Sequence, residues 1–221
     1  MKYEGIIFDL DGTLIDSMSV WENVDRNFLE ENGAVYTVDV SDDVKKMTIQ
    51  QSAEYFKKRF SLDLSCEYII NRIEEMVKEQ YCCHIPLKSG VAETLRKLSE
   101  DGVKMCVATA TYNSLVKSAL ERLGILDMFE FVLTCSDIGS GKDKPDIFFK
   151  SAEKLSCDIS GVIVVEDSLH CIETAKNAGF CTVAVHDDIA RGDLDRIREL
   201  SDYYIDDMSQ FYDLFLKLNE V

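Results

Sequence analysis

Short runs of wholly apolar residues alternate with longer stretches whose apolar positions fall three and four apart over most of this chain, and one segment breaks that rhythm. The apolar runs at 3–8, 103–108, 131–134, 161–165 and 181–185 have the length of buried strands. The stretches at 89–100, 112–123, 146–155 and 168–178 have the period of helices with one buried face, and Gly102, Gly124 and Gly179 stand at helix stops. Strand and helix in alternation predict an α/β fold, a doubly wound parallel sheet with helices on both faces.

Residues 16–86 depart from the alternation and contain no convincing strand. Asp16 or Ser17 is placed to cap a helix carrying Val20, Trp21, Val24 and Phe28 and ending at Gly33. Thr48 and Gln51 form a capping box ahead of Ala53, Phe56 and Phe60, and Ser65 opens a helix with Ile69, Ile73, Met76 and Val77 on one face. The chain therefore reads as a Rossmann-like core, 1–15 with 87–221, and a small all-helical domain, 16–86, inserted after the first strand.

Composition narrows the partners. With 41 acidic against 24 basic residues the net charge is −17, and no basic stripe offers itself to a phosphate backbone, so nucleic acid is not expected. No apolar stretch approaches 18 residues and no signal sequence is recognisable, so the expectation is a soluble cytoplasmic protein without a membrane or an obligatory protein partner. The eight cysteines lack a CxxC pair and read as reduced, buried small hydrophobes. Cys82, Cys83 and His84 are poorly spaced for a tetrahedral zinc. An acidic protein that handles phosphate must make its positive field locally, from a cation, a lysine or backbone amides.

Ligands of open parallel sheets bind beyond the carboxyl ends of the strands. The first apolar run delivers Asp9 and Asp11 into a Gly12-Thr13 turn, and if the strand continues through Asp11 the two carboxylates share a side. The run at 103–108 ends in Thr109-Ala110-Thr111, Lys142 precedes the helix at 146, and the run at 161–165 ends in Glu166-Asp167-Ser168. Each has a plain structural reading: a turn, a helix N-cap at Thr109, a solvated lysine, an acidic helix start. Together they are what attack on phosphorus needs: a carboxylate nucleophile, a second carboxylate to move protons, a magnesium site, and groups to hold phosphate oxygens.

The string Phe8-Asp9-Leu10-Asp11-Gly12-Thr13-Leu14-Ile15-Asp16-Ser17 resembles motif one of the haloacid dehalogenase superfamily. Val107-Ala108-Thr109-Ala110-Thr111, Lys142 ahead of Lys144-Pro145-Asp146, and Val165-Glu166-Asp167-Ser168 are similar to its second, third and fourth motifs, in the same order. The resemblance implies Asp9 as nucleophile and Asp11 as acid/base. It implies magnesium at Asp9, the Asp11 carbonyl and Asp167, with Glu166 in or near the shell, and phosphate at Thr109, the Ala110 amide and Lys142. Lys144 competes with Lys142, because Asp143 stands where the usual Lys-Pro-x-Pro-Asp form has its first proline.

The helical insertion looks like the small cap of the beta-phosphoglucomutase and phosphoglycolate phosphatase group. Its mutases carry a His and an Arg in the cap where this chain, by counting, has Trp21 and Ile49. Without a charged group for a second phosphate, the resemblance implies a phosphatase of small phosphorylated metabolites, with a sugar-phosphate mutase as the alternative. Trp21 is read as a core anchor of the cap or as a lining of the substrate pocket, and Thr48, Gln50, Gln51 and Asn113 as possible contacts of the leaving group. A phospho-acceptor or phosphate-binding regulatory protein is the non-enzymatic alternative. A receiver domain is excluded by motif order, since its lysine comes last, and by the inserted helices. Gly139-Ser140-Gly141-Lys142 is not a Walker loop, because no Ser or Thr follows the lysine.

Overall fold

The computed structural model describes residues 2–44, 47, 49–188 and 192–220. It divides into two compact units, Met1–Asp16 with Ile85–Val221, and Ser17–His84. In the first unit, β1 (Gly5–Phe8), β2 (Lys104–Thr109), β3 (Phe131–Thr134), β4 (Val162–Glu166), β5 (Cys181–Val185) and β6 (Tyr203–Ile205) form one parallel sheet in the order β3-β2-β1-β4-β5-β6. β1 is central, and the chain winds away from it in both directions, which opens a crevice at its carboxyl end.

Both faces of the sheet are covered, so its strands are apolar throughout rather than alternating. On one face Ile7, Cys106, Ala108, Leu133 and Val164 pack with Ile147, Phe148 and Ala152 of a helix at Asp146–Leu155 and with Cys171 and Ala175 of one at Leu169–Asn177. On the other, Phe8 meets Phe211 edge to face at 5.8 Å. Phe211 opens the helix Phe211–Asn219, which lies beside the helix Val91–Glu100. Gly90 precedes that last helix at φ +77°, and a Cβ there would lie 2.2 Å from the Ser209 amide nitrogen, so only glycine fits.

The second unit contains α1 (Met18–Glu31), α2 (Val38–Val44), α3 (Ile49–Arg59) and α4 (Cys66–Cys83). Its core stacks Phe28 on Phe56 at 6.1 Å and buries Val24, Ala53, Ile69, Ile73, Val77 and Tyr81. The Ser65 hydroxyl caps α4 by accepting from the Tyr68 amide at 3.1 Å, whereas Ser17 holds the N-cap position of α1 without a capping bond. Thr48, the expected start of a capping box, lies outside the described residues. No helix among the described residues is long and apolar enough to cross a membrane.

Several expectations are corrected. β1 stops at Phe8, so Asp9 and Asp11 are not alternate residues of one strand; Asp11 forms an isolated bridge to Ile15 within the turn. The helix α2 was not foreseen, because among its described side chains Val40 and Val44 alone repeat at helical spacing on a buried side. Nor was the single turn Cys135–Ile138, which is set by a Thr134–Asp137 capping box, or the elements after residue 185. Trp21 is 41% exposed, with its indole nitrogen donating to the Tyr81 hydroxyl at 2.9 Å, and is no buried anchor. Among the cysteines only Cys106 and Cys171 are buried; Cys83 is exposed and the rest are half-buried.

Candidate active site

Register assembles the site. Phe8 pairs with Val107 on one side and Val165 on the other, so Asp9, one step on, lies level with Ala108 and Glu166, and Thr109 and Asp167 follow immediately. The Asp9 amide donates to the Val165 carbonyl at 3.0 Å, which holds this first loop residue against β4. Gly12, at φ +82°, then turns the chain back so that its amide reaches the Ile15 carbonyl at 3.0 Å.

Lys142 arrives from the loop before Asp146 and is 6% exposed. Its ammonium donates to an Asp9 carboxylate oxygen and, at 2.7 Å, to Glu166 Oε1. Lys144 is exposed, so Lys142 is the lysine of this loop that meets the carboxylates. The other oxygen of Glu166 accepts from the amides of Asp167 and Ser168 at 3.0 and 3.1 Å. The helix beyond begins at Leu169 without an acidic first turn, so Glu166 and Asp167 do not serve as a helix start.

Asp9, Glu166 and Asp167, all buried, bring carboxylate oxygens within 4.8 Å of one another. Burial pushes the Asp9 carboxyl up to about 8, with Lys142 pulling down and Glu166 and Asp11 pushing further up. Burial, then Glu166 and Asp9, hold Asp167 well above the carboxylate range. Glu166 is also penalised by burial, but Lys142 and the amides outweigh it and hold its carboxyl low. Burial opposes the charge of Lys142 too, and Asp9 and Glu166 overcome it, so the lysine stays cationic. Three carboxylates against one ammonium leave an excess of negative charge that a cation with a taste for oxygen donors relieves. The residues fit a divalent ion.

The Asp11 carboxylate lies outside that trio and accepts a hydrogen bond from the Thr111 hydroxyl at 2.7 Å. Thr109 is buried, and its hydroxyl accepts from the Thr111 amide at 3.0 Å instead of capping the following helix, whose N-cap is Tyr112. Ala110 is exposed at the end of β2. The half-buried Asn113 gives its side chain to Asp137 and helps hold that carboxyl low, after the bonds from Thr134. Sequence reasoning gave Thr111 no role; the repeated threonine in Thr109-Ala110-Thr111 was the available signal.

Comparison with known proteins agrees with this architecture. The chain is 28% identical over 179 residues to the phosphorylated carbohydrates phosphatase of Thermotoga maritima, covering 80% of this chain and 82% of that one. It is 30% identical over 188 residues to the phosphoglycolate phosphatase of Agrobacterium fabrum, covering 81% and 78%. A HAD family hydrolase from Deinococcus radiodurans, solved with bound phosphate and sodium, superposes with a TM-score of 0.78 at 19% identity over 99% of this chain and 97% of its own. The sequence model of the haloacid dehalogenase-like hydrolases matches residues 6–185, and the chain belongs to that family.

Proposed function

We propose that the protein is a magnesium-dependent phosphatase that hydrolyses a small phosphorylated metabolite through an aspartyl phosphate on Asp9. The observation that carries this reading is the buried meeting of Asp9, Glu166 and Asp167 with Lys142, at a sheet edge that also holds Thr109 and Asp11. The named activities of the Thermotoga and Agrobacterium relatives support a small phosphate ester as substrate.

In this proposal an Asp9 oxygen attacks phosphorus, and the bond from phosphorus to the leaving oxygen breaks. Asp11, turned by Thr111, gives that oxygen its proton. It then takes a proton from the water that attacks the aspartyl phosphate, releasing inorganic phosphate and restoring Asp9. Thr109, the Ala110 amide and Lys142 hold the phosphate oxygens. Asp9, Asp167 and the Asp11 carbonyl, with Glu166 beside them, would hold magnesium, which supplies positive charge between nucleophile and phosphate. Glu166 already spends both oxygens on Lys142 and two amides, so its main task is to keep the lysine in place.

We assign the helical unit as the cap domain. Its Trp21 spends its one polar atom on Tyr81, and Ile49 is an exposed apolar residue, so neither offers a charge to a second phosphate. Hydrolysis is therefore favoured over mutase chemistry.

Release of phosphate from an aryl phosphate, followed by a screen of phosphorylated metabolites with and without magnesium, tests the proposal. Asp9→Asn is expected to lose about 10³-fold or more in kcat. An Asp9→Asn enzyme at the wild-type rate would sink the reading. Transfer of phosphate between two positions of one sugar, with little free phosphate, would replace it with a mutase, and phosphate binding without turnover would replace it with a regulatory protein.

A further inference from the structure

Lys88 stands just after the chain returns from the helical unit, and three oxygens surround its ammonium. It donates to the Gly12 carbonyl at 2.5 Å, to the His186 carbonyl at 2.8 Å and to Asp187 Oδ2 at 2.8 Å. Three protons meet three acceptors, so the group is fully used. The Lys88 side chain is 17% exposed and that of Asp187 7%, which makes this a partly buried ion pair rather than a surface one. The Lys88 amide also donates to the Leu14 carbonyl at 3.0 Å, and the Asp16 amide to the Pro86 carbonyl at 3.0 Å, so the segments at 14–16 and 86–88 run side by side.

The three acceptors belong to two loops. Gly12 follows Asp11 in the turn after β1, and His186 with Asp187 follows β5. Between those strands lies β4, whose end carries Glu166 and Asp167. The Lys88 contacts thus join two loops that flank the end of β4. Asp187 is near enough for its charge to act on Asp167. Without a counter-charge it would add another carboxylate to a cluster already short of positive charge. A neutral donor in place of Lys88 would satisfy a carbonyl but leave that charge unbalanced.

We propose that Lys88 is a positioning residue for the reaction: it fixes the Asp11-Gly12 turn against the loop after β5 and neutralises Asp187 beside the acidic cluster. The proposal rests on the reading of Asp9 and Asp11 given above.

The test compares wild type with Lys88→Met, Lys88→Arg, Asp187→Asn and the double variant Lys88→Met/Asp187→Asn. It measures kcat and KM for the aryl phosphate and amide hydrogen exchange of residues 10–15. Lys88→Met is expected to lose about 10–100-fold in kcat, as loss of a group that orients catalytic residues does, with KM within about twofold and faster exchange at 10–15. Lys88→Arg should recover most of the rate, and the double variant should be faster than Lys88→Met, because the unbalanced charge is gone. If Lys88→Met does not fold, Asp187→Asn carries the test, with kcat lowered about threefold or more and KM unchanged. Wild-type kcat and exchange in Lys88→Met, or in Asp187→Asn where that variant carries the test, would overturn the proposal while Asp9→Asn remains inactive. An active Asp9→Asn beside a slow, fast-exchanging Lys88→Met would overturn the reading of Asp9 and support the role of Lys88.

Discussion

Asp9, one residue past β1, lies level with Glu166 at the end of β4 and shares one lysine with it, yet the two carboxyls are driven in opposite directions. The difference is the number of donors each receives: Glu166 has Lys142 and two amides, while the bond from Lys142 stands against the burial of Asp9 and two neighbouring carboxylates. A carboxylate short of donors is the one with an oxygen to offer a phosphorus atom or a cation. The Asp11 carboxylate accepts from the Thr111 hydroxyl at 2.7 Å, and in the proposed reaction that hydrogen bond sets the geometry of proton transfer. Thr111→Val is expected to lower kcat about tenfold with KM nearly unchanged, which steady-state kinetics on the aryl phosphate will show. The residues following the apolar runs were legible because the parallel fold sends every strand end to one edge. Thr111 and Lys88 were not, since their partners lie about 100 positions away in the chain and only register and loop path bring them close.

At the scale of elements, the helices and strands that periodicity found are those with several buried residues at regular spacing. β6, three residues long with only Ile205 buried, and α2, with two buried valines, carry too few positions for a period to emerge. The turn Cys135–Ile138 owes its existence to the Thr134–Asp137 box rather than to an apolar stripe. Within α1 one residue runs against the element: burial pushes the Asp25 carboxyl up to about 6. The folded chain keeps this proton where the unfolded chain sheds it, so stability falls as pH rises from about 4 to about 6, and the penalty stands in full above that window. Asp25→Asn is therefore expected to stabilise the protein by about 1–2 kcal/mol at pH 7.5 and by nothing at pH 4. Denaturant titrations at the two pH values measure the difference.

At the scale of the whole molecule, a net charge of −17 repels the anionic substrate proposed for it and repels the chain from itself. The buried acidic trio concentrates that problem at the sheet edge, so an ion bound there would stabilise the fold as well as the chemistry. Magnesium at about 100 times its dissociation constant is expected to add about 2.7 kcal/mol, read as a rise of about 5 °C in Tm. Sodium chloride at matched ionic strength should give much less, since it only screens, and Asp167→Ala should remove the magnesium increment in a thermal melt. An increment unchanged by Asp167→Ala would place the ion elsewhere.

The central place of β1 has a consequence for how the protein is made. β1 is synthesised before both of its neighbours, since β2 and β4 begin at Lys104 and Val162. At roughly 5–20 residues per second the ribosome needs about 10–30 s after Asp9 before Glu166 exists. Until β2 emerges Ile6, Ile7 and Phe8 have neither sheet edge paired, and until β4 emerges one edge still lacks its partner, so the nascent chain must be kept from pairing with others. A chain arrested before β4 holds Asp9 but no Glu166 or Asp167 to set beside it, so an unfinished copy lacks the buried acidic trio.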